Sequence, residues 1–201
     1  PLSVPASGNY VACRLAPRAI VSMSYSPYTL QQQVQEFSGQ IWTGEVSLAP
    51  MKRATAEAWI AFLLKLNGIR GTFLFGDPNC TAPRGTNPVQ PTVAGGAQTG
   101  NVLRVNGYAP FATGVLLAGD YIQLGSGETT RLHKVLDDVD ASSDGSAEIL
   151  VWPSLRESPT NDSTVVTSAA KGTFRMAQNE MSWDVNGLRL YGVAFAFVEA
   201  L

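Results

Sequence analysis

The sequence predicts a mainly β protein: a β-sandwich-like domain carrying one packed α-helix, with a small antiparallel β-barrel or sandwich domain inserted into it. Three observations predict this. Residues 41–48 alternate apolar and polar side chains with the period of a half-buried strand. Residues 53–66 are the one stretch with convincing helical periodicity. From residue 101 onward, short apolar runs alternate with Gly, Asn and Asp turn signals, the texture of a compact all-β unit.

Taken in order, residues 18–25 read as a first strand, running from Arg18 to Tyr25. In the second, 41–48, Trp42, Gly44, Val46 and Leu48 fall on one side and Thr43, Glu45 and Ser47 on the other. Residues 53–66 then switch period. Ala54, Ala56, Ala58 and Ala61 supply helix propensity, and Trp59, Phe62, Leu63 and Leu66 recur on a single helical face. Asn67-Gly68 offers the residues that tolerate a left-handed C-cap, so the helix ends there with an apolar stripe that has to be buried on a sheet. Thr72 to Phe75 is a short strand ended by Gly76-Asp77-Pro78. Residues 76–100, with Pro78, Pro83, Pro88 and Pro91, show little periodicity and read as a long excursion.

Beyond it, Asn101 to Val105, Tyr121 to Leu124, Thr130 to Leu136, Glu148 to Trp152 and Thr164 to Thr167 read as short strands. Asn106-Gly107, Gly125-Ser126-Gly127 and Asp144-Gly145 mark turns, and Pro153 is expected to stop the run before it. Gly172 to Met176 and Ser182 to Val185 follow, and the turn at Asn186-Gly187 opens a last strand, Leu188 to Glu199. In that strand Leu190, Gly192, Ala194, Ala196 and Val198 face one way, and Tyr191, Val193, Phe195 and Phe197 the other. Both faces are apolar, so the strand is either central in a sheet or covered by a partner. Placing it with the helix divides the chain into a domain of residues 1–96 and 170–201, and an inserted domain of residues 97–169.

The composition bounds the function. The chain has 201 residues, enough for one sizeable core or two small ones. Charged residues make up 15%, below the roughly 25% of ordinary soluble proteins, which suits a subunit that buries surface in an assembly and equally a compact β domain with a Ser/Thr/Asn-covered surface. The net charge is -2 and no basic run exceeds Lys52-Arg53, so the clustered positive charge that grips phosphate is missing and no sequence-specific nucleic-acid binding is expected. Cys13 and Cys80 make no disulfide framework, and a reducing compartment is the simpler expectation. No export signal opens the sequence and no segment approaches about 18 apolar residues, so synthesis in the cytoplasm and no membrane span are expected.

Few residues suggest chemistry. His133 alternates along its strand with Arg131 and Val135, and no nucleophile or orienting group is identifiable beside it, so it reads as an ordinary strand residue. The run from Asp137 to Gly145 resembles a calcium loop at its start, but Val151 stands where that loop needs a bidentate Glu, so it reads as a solvated hairpin turn. Gly95 to Gly100 lacks the Gly-Lys-Ser/Thr ending of a phosphate loop. No catalytic residue, metal or cofactor is therefore expected. Aromatic side chains are good contact anchors. On that basis Tyr108, Pro110 and Phe111, in a loop expected to make an interface or a domain–domain contact, and Tyr191, Phe195 and Phe197, on the last strand, are the candidate interface residues.

Several phrases of the sequence fit one group of proteins. They are Leu48-Ala49-Pro50-Met51, Trp59-Ile60-Ala61-Phe62-Leu63, Gly71 to Pro78, Pro83-Arg84-Gly85, Gly95 to Gly100, Leu117 to Leu124, Trp152 to Arg156, Gly172 to Met176 and Trp183 to Glu199. Together they span nearly the whole chain, which resembles tail proteins of long-tailed bacteriophages and most looks like distal tail proteins. That resemblance implies a structural subunit of the virion tail with no enzymatic activity. It implies a hexameric ring joining the tail tube protein to the baseplate or tip hub proteins, with residues 1–96 and 170–201 building the ring and 97–169 facing outward. Three other functions stay open: a tube or minor tip subunit, a carbohydrate-binding host-attachment module with an exposed aromatic platform on 97–169, and a tail-associated hydrolase with converging carboxylates.

Overall fold

The computed structural model describes residues 1–86 and 89–201; Pro88, one of the prolines of the long excursion, lies outside them. The fold is mainly β with one packed helix, in two sheets. The strands are β1 (Leu2–Ser3), β2 (Tyr10–Tyr25), β3 (Gln32–Leu48), β4 (Thr72–Phe75), β5 (Thr92–Val93), β6 (Gly100–Asn106), β7 (Tyr121–Leu124), β8 (Arg131–Val135), β9 (Ala147–Leu155), β10 (Gly172–Met176), β11 (Trp183–Val185) and β12 (Tyr191–Glu199), and helix α1 is Arg53–Leu66. The first sheet runs β1-β4-β10-β12-β3-β2, with β11 paired to the start of β12. The second runs β5-β6-β9-β8-β7. Among the described residues, no helix is long and apolar enough to cross a membrane.

Helix α1 forms where the alanine-rich, one-faced pattern demands it. Asn67 takes the left-handed conformation at its C-cap, and the cap N–H bonds the Leu64 carbonyl. Its stripe of Trp59, Phe62, Leu63 and Leu66 is buried against the first sheet. There Phe73, Phe75, Phe174, Phe195 and Phe197 form an edge-to-face aromatic cluster, with Phe174 and Phe197 centroids 5.0 Å apart. Gly44 makes room for it: a Cβ there would lie 2.4 Å from the Phe197 ring. Strand β12 is central, between β10 and β3. Its Val193, Phe195 and Phe197 face the helix, while Gly192, Ala194 and Ala196 lie on the open face.

The second sheet encloses its own core of Val93, Leu103, Val105, Ile122, Ile149 and Val151 among others. The sequence expectation of a strand at Thr164 to Thr167 gives way to isolated bridges, Thr92 with Thr164 and Gln123 with Val166. Since β5 and β7 are the two edges of this sheet, that segment bonds to both and curls the sheet toward closure. Pro153 does not stop β9, which continues to Leu155. The register against β6 jumps from Leu155 to Leu150, so Pro153 sits in an irregular stretch where its missing N–H costs no ladder bond. The first pairing of this sheet is at Thr92 and Val93, upstream of residue 97.

One buried carboxylate ties the sheets together. Glu199, at the end of β12, accepts from the Trp42 backbone N–H at 3.0 Å and from both terminal nitrogens of Arg156 at 2.9 and 3.0 Å. Arg156 also donates to the Gln40 carbonyl, and the Gln40 side chain accepts from the Ser154 N–H. Trp42 donates its indole N–H to the Leu132 carbonyl at 2.9 Å and meets Trp152 edge-on at 4.6 Å. Removing one partner of such a pair strands the other charge in the interior. Arg156→Ala should therefore destabilise the chain by about 3 kcal/mol, while the double change to Arg156→Met with Glu199→Leu should recover most of it. Urea denaturation of the three proteins checks this, and equal losses for the single and double variants would refute it.

Candidate functional site

The largest feature without a core is the hairpin of β2 and β3. Its root is ordinary sheet: Trp42, Val46 and Leu48 are buried, and Cys13 and Leu15 pack on the same core. Beyond residue 18 on β2 and below residue 39 on β3, every residue is exposed. The pairing continues through Val21 with Glu36, Met23 with Val34 and Tyr25 with Gln32. A turn follows in which the Ser26 carbonyl accepts from Leu30 and its hydroxyl from Tyr28 and Thr29. Between the root and this arm the register breaks, with Ile20 opposite Phe37, Ser38 and Gly39. Gly39 permits it, since a Cβ would lie 2.7 Å from the Ile20 side chain.

The arm is two-faced. Directly paired residues of an antiparallel ribbon share a face. Val21, Met23, Tyr25 and Val34 therefore lie together, with Glu36 opposite Val21 and Gln32 opposite Tyr25 at the two ends of that side, and Ser22, Ser24, Gln33 and Gln35 lie on the other side. At the tip Tyr28 and Leu30 are 95% and 73% exposed. The apolar side is that of Cys13, Leu15 and Trp42, so it continues the core face of the sheet past the point where the core ends. An isolated two-stranded ribbon is marginally stable at best in water.

The residues singled out from sequence fall into two sets. Pro110 and Phe111 are exposed, Phe111 by 73%, on a loop held by the Phe111 N–H to the Ser142 carbonyl. Tyr108 is interior, and burial pushes its phenol above the ordinary range. Phe195 and Phe197 are interior too, and Tyr191 is half-buried, exchanging backbone hydrogen bonds with Met51. The expectation that Tyr108, Phe195 and Phe197 contact a partner is corrected: the chain's own helix and sheets already cover them. The last strand is central in its sheet, with the aromatic side against α1 and the small residues Gly192, Ala194 and Ala196 on the open side.

The other motifs are satisfied from within. Asp138 and Asp140 accept from the Ala118 and Gly114 N–H groups, and Asp144 accepts from the hydroxyls of Ser142 and Ser146. Those hydroxyls hold Asp144 well below the usual carboxylate range. Among the described residues no group of three or more His, Cys, Asp or Glu is placed to hold a metal. In the Gly95 to Gly100 turn, the Gln98 side chain bonds the Ala94, Gly95 and Arg104 carbonyls and the Arg104 N–H, filling the loop with its own amide. Trp42, Tyr121 and Trp152 pack on one another at the junction of the sheets, so they offer no exposed aromatic platform. Cys13 and Cys80 are free thiols raised by burial.

His133 is buried, with Nδ1 2.7 Å from the Pro153 carbonyl. Beside it lies a cleft of about 660 Å³, lined from β7, β8, the end of β9 and the loop from Arg156 to Val166. Among carboxylates only Glu157 lines it, so no pair of acids converges there. No family model matches this chain, and no curated protein does.

The sequence reading placed a strand at 18–25 but missed its partner at 32–38 and hence the arm, although Ser26-Pro27 is a turn signal between two alternating runs. The glutamines at 31–33 and 35 lower the apolar content of its second strand and mask the pattern.

Burial holds His133 below its ordinary value, at about 4; the Pro153 carbonyl and Glu199 oppose this, and Arg156 and Arg131 add to it. The unfolded chain's histidine titrates near 6.5, so below that pH it binds a proton the folded chain refuses. The stabilisation from a neutral His133 is whole above about pH 6.5 and fades as the pH falls to about 4. Between pH 7.5 and 4.5 this should remove about 2 to 3 kcal/mol, and His133→Gln should abolish that component. Urea midpoints at the two pH values measure it, and an unchanged drop in the variant would refute the assignment.

Proposed function

We propose that this chain is a structural subunit of a long-tailed bacteriophage, forming a ring that joins the tail tube to the baseplate or tip complex. The observation that carries an assembly role is the arm: an amphipathic β-ribbon whose apolar face extends a sheet's core side with no layer over it. Each fully buried Val or Met side chain is worth about 1.5–3 kcal/mol, so covering Val21, Met23 and Val34 contributes toward the cost of ordering the ribbon. From residue 20 to 39 the arm carries a single charge, Glu36, which lies on the Val21 side at the base of the arm. A ring closes by head-to-tail contacts in which one copy's projection meets a different surface of the next, and an arm is suited to that geometry. The resemblance in sequence supplies the tail, the hexamer and the neighbours; the arm supports the ring independently of it. In this reading residues 97–169 face outward, and the low positive charge lets DNA pass the ring ungripped.

Cryo-electron microscopy of particles from the genome encoding the chain tests the position. A closed six-fold ring at the end of the tube, with each arm seated on a neighbour, is the expected result. A place in the repeating tube would assign it as a tube subunit instead, and absence from particles would overturn the structural role. The arm has its own test. Met23→Lys with Val34→Glu, an opposite-charge cross-strand pair, should leave the chain's unfolding free energy within about 0.5 kcal/mol, because both sites are exposed in the single chain. The same variant should fail to enter particles, whereas incorporation at wild-type level would exclude the arm from the interface.

A further inference from the structure

The cleft beside His133 has unspent recognition groups that the assembly reading does not use. Arg131 and His133 stand two apart on β8, hence on one face of the strand, and both line the cleft. A backbone carbonyl only accepts, so the 2.7 Å contact with Pro153 places the proton on Nδ1 of His133. Nε2 is then an acceptor; none of the described residues donates to it, and it is not among the enclosed unpartnered atoms, so it stays open to a donor from outside the protein. Arg131 spends Nη1 on the carbonyls of Glu128 and Thr130, at 3.1 and 3.3 Å. Its Nε and Nη2 have no acceptor among the described residues. Arg156, the other cation of the wall, is committed to Glu199 and Gln40.

These groups define a ligand. A guanidinium edge with free donors matches a planar carboxylate. A neutral imidazole acceptor demands a hydroxyl or amine donor, which a carboxylate does not supply. One free guanidinium, with Glu157 on the wall, favours a single negative charge over a phosphate dianion. Ser126 adds a hydroxyl, Thr129 and Ser163, whose hydroxyls already donate to the Ser126 and Thr160 carbonyls, can add only acceptors, and Leu124, Leu155 and Val166 add apolar wall. The volume of about 660 Å³ lies in the range of small-ligand sites. We propose that this cleft binds a small hydroxylated monocarboxylate, with Arg131 holding the carboxylate and Nε2 of His133 accepting from a ligand hydroxyl.

The test is an NMR titration of the full-length, ¹⁵N-labelled chain with four probes: D-glucuronate, L-lactate, D-glucose and acetate. Saturable shifts of the β8 and 156–166 amides are expected with a hydroxy-acid, at concentrations roughly tenfold lower than with glucose or acetate. Binding of glucuronate alone identifies an acidic sugar as the ligand class, and equal binding of lactate identifies acyclic hydroxy-acids. Arg131→Gln should weaken that binding roughly tenfold while leaving distant amide signals in place. The proposal is overturned if neither acid saturates by about 10 mM, if glucose or acetate binds equally well, or if Arg131→Gln binds like the wild type. None of these outcomes depends on whether the chain forms a ring.

Discussion

The Glu199 carboxylate is the point on which the architecture turns. A buried, ionised side chain is tolerated only when its oxygens are fully occupied, and here a backbone N–H from β3 and two guanidinium nitrogens occupy them. The three groups come from the end of β12, the middle of β3 and the segment just after β9, so satisfying one charge fixes the first sheet against the second. Trp42 reinforces the same junction from its other side, through its indole bond to Leu132 and its edge contact with Trp152.

Strand β3 passes through that junction and changes character on either side of it. Residues 42–48 alternate buried and solvent-facing side chains beneath α1, residues 40–42 carry the contacts to Arg156 and Ser154, and residues 32–38 leave the body as the arm. A rigidly clamped base is what a projecting ribbon needs if it is to present its apolar side in one direction. The clamp also borders the His133 cleft, since Arg156 belongs to both. One network of hydrogen bonds therefore holds the base of the arm and forms the wall of a small cleft.

Much of this was legible in the sequence wherever a signal was local. Helix α1, with its Asn67 cap, needed only its own period and end signal, and β4 and β10 needed only short apolar runs bounded by glycine. What was not legible depended on distant partners. Pro153 looked like a terminator because the register jump that accommodates it is a property of β6 and β9 together. Phe195 and Phe197 looked like contact anchors because an apolar strand carries no label saying whether a helix of the same chain covers it. The alternation of Arg131 with His133 was visible, but the carbonyl that fixes the imidazole tautomer comes from a neighbouring strand. The second strand of the arm was hidden for the opposite reason: having no core to cover, residues 32–38 lack the apolar density that announces a strand.

The register break at the base of the arm preserves parity. Ala19 pairs with Gln40 and Val21 with Glu36, so both strands advance by an even number of residues across it. That is why the apolar side of the arm stays aligned with the core side of the sheet. Such a ribbon can change length across related sequences only in balanced pairs, each pair adding or removing about 7 Å of reach without rotating the contact face. An odd insertion in either strand would present serines and glutamines where valine and methionine now stand. The arm thus behaves as a ruler graduated in steps of two residues, and its length is a quantity that evolution can adjust separately from its chemistry.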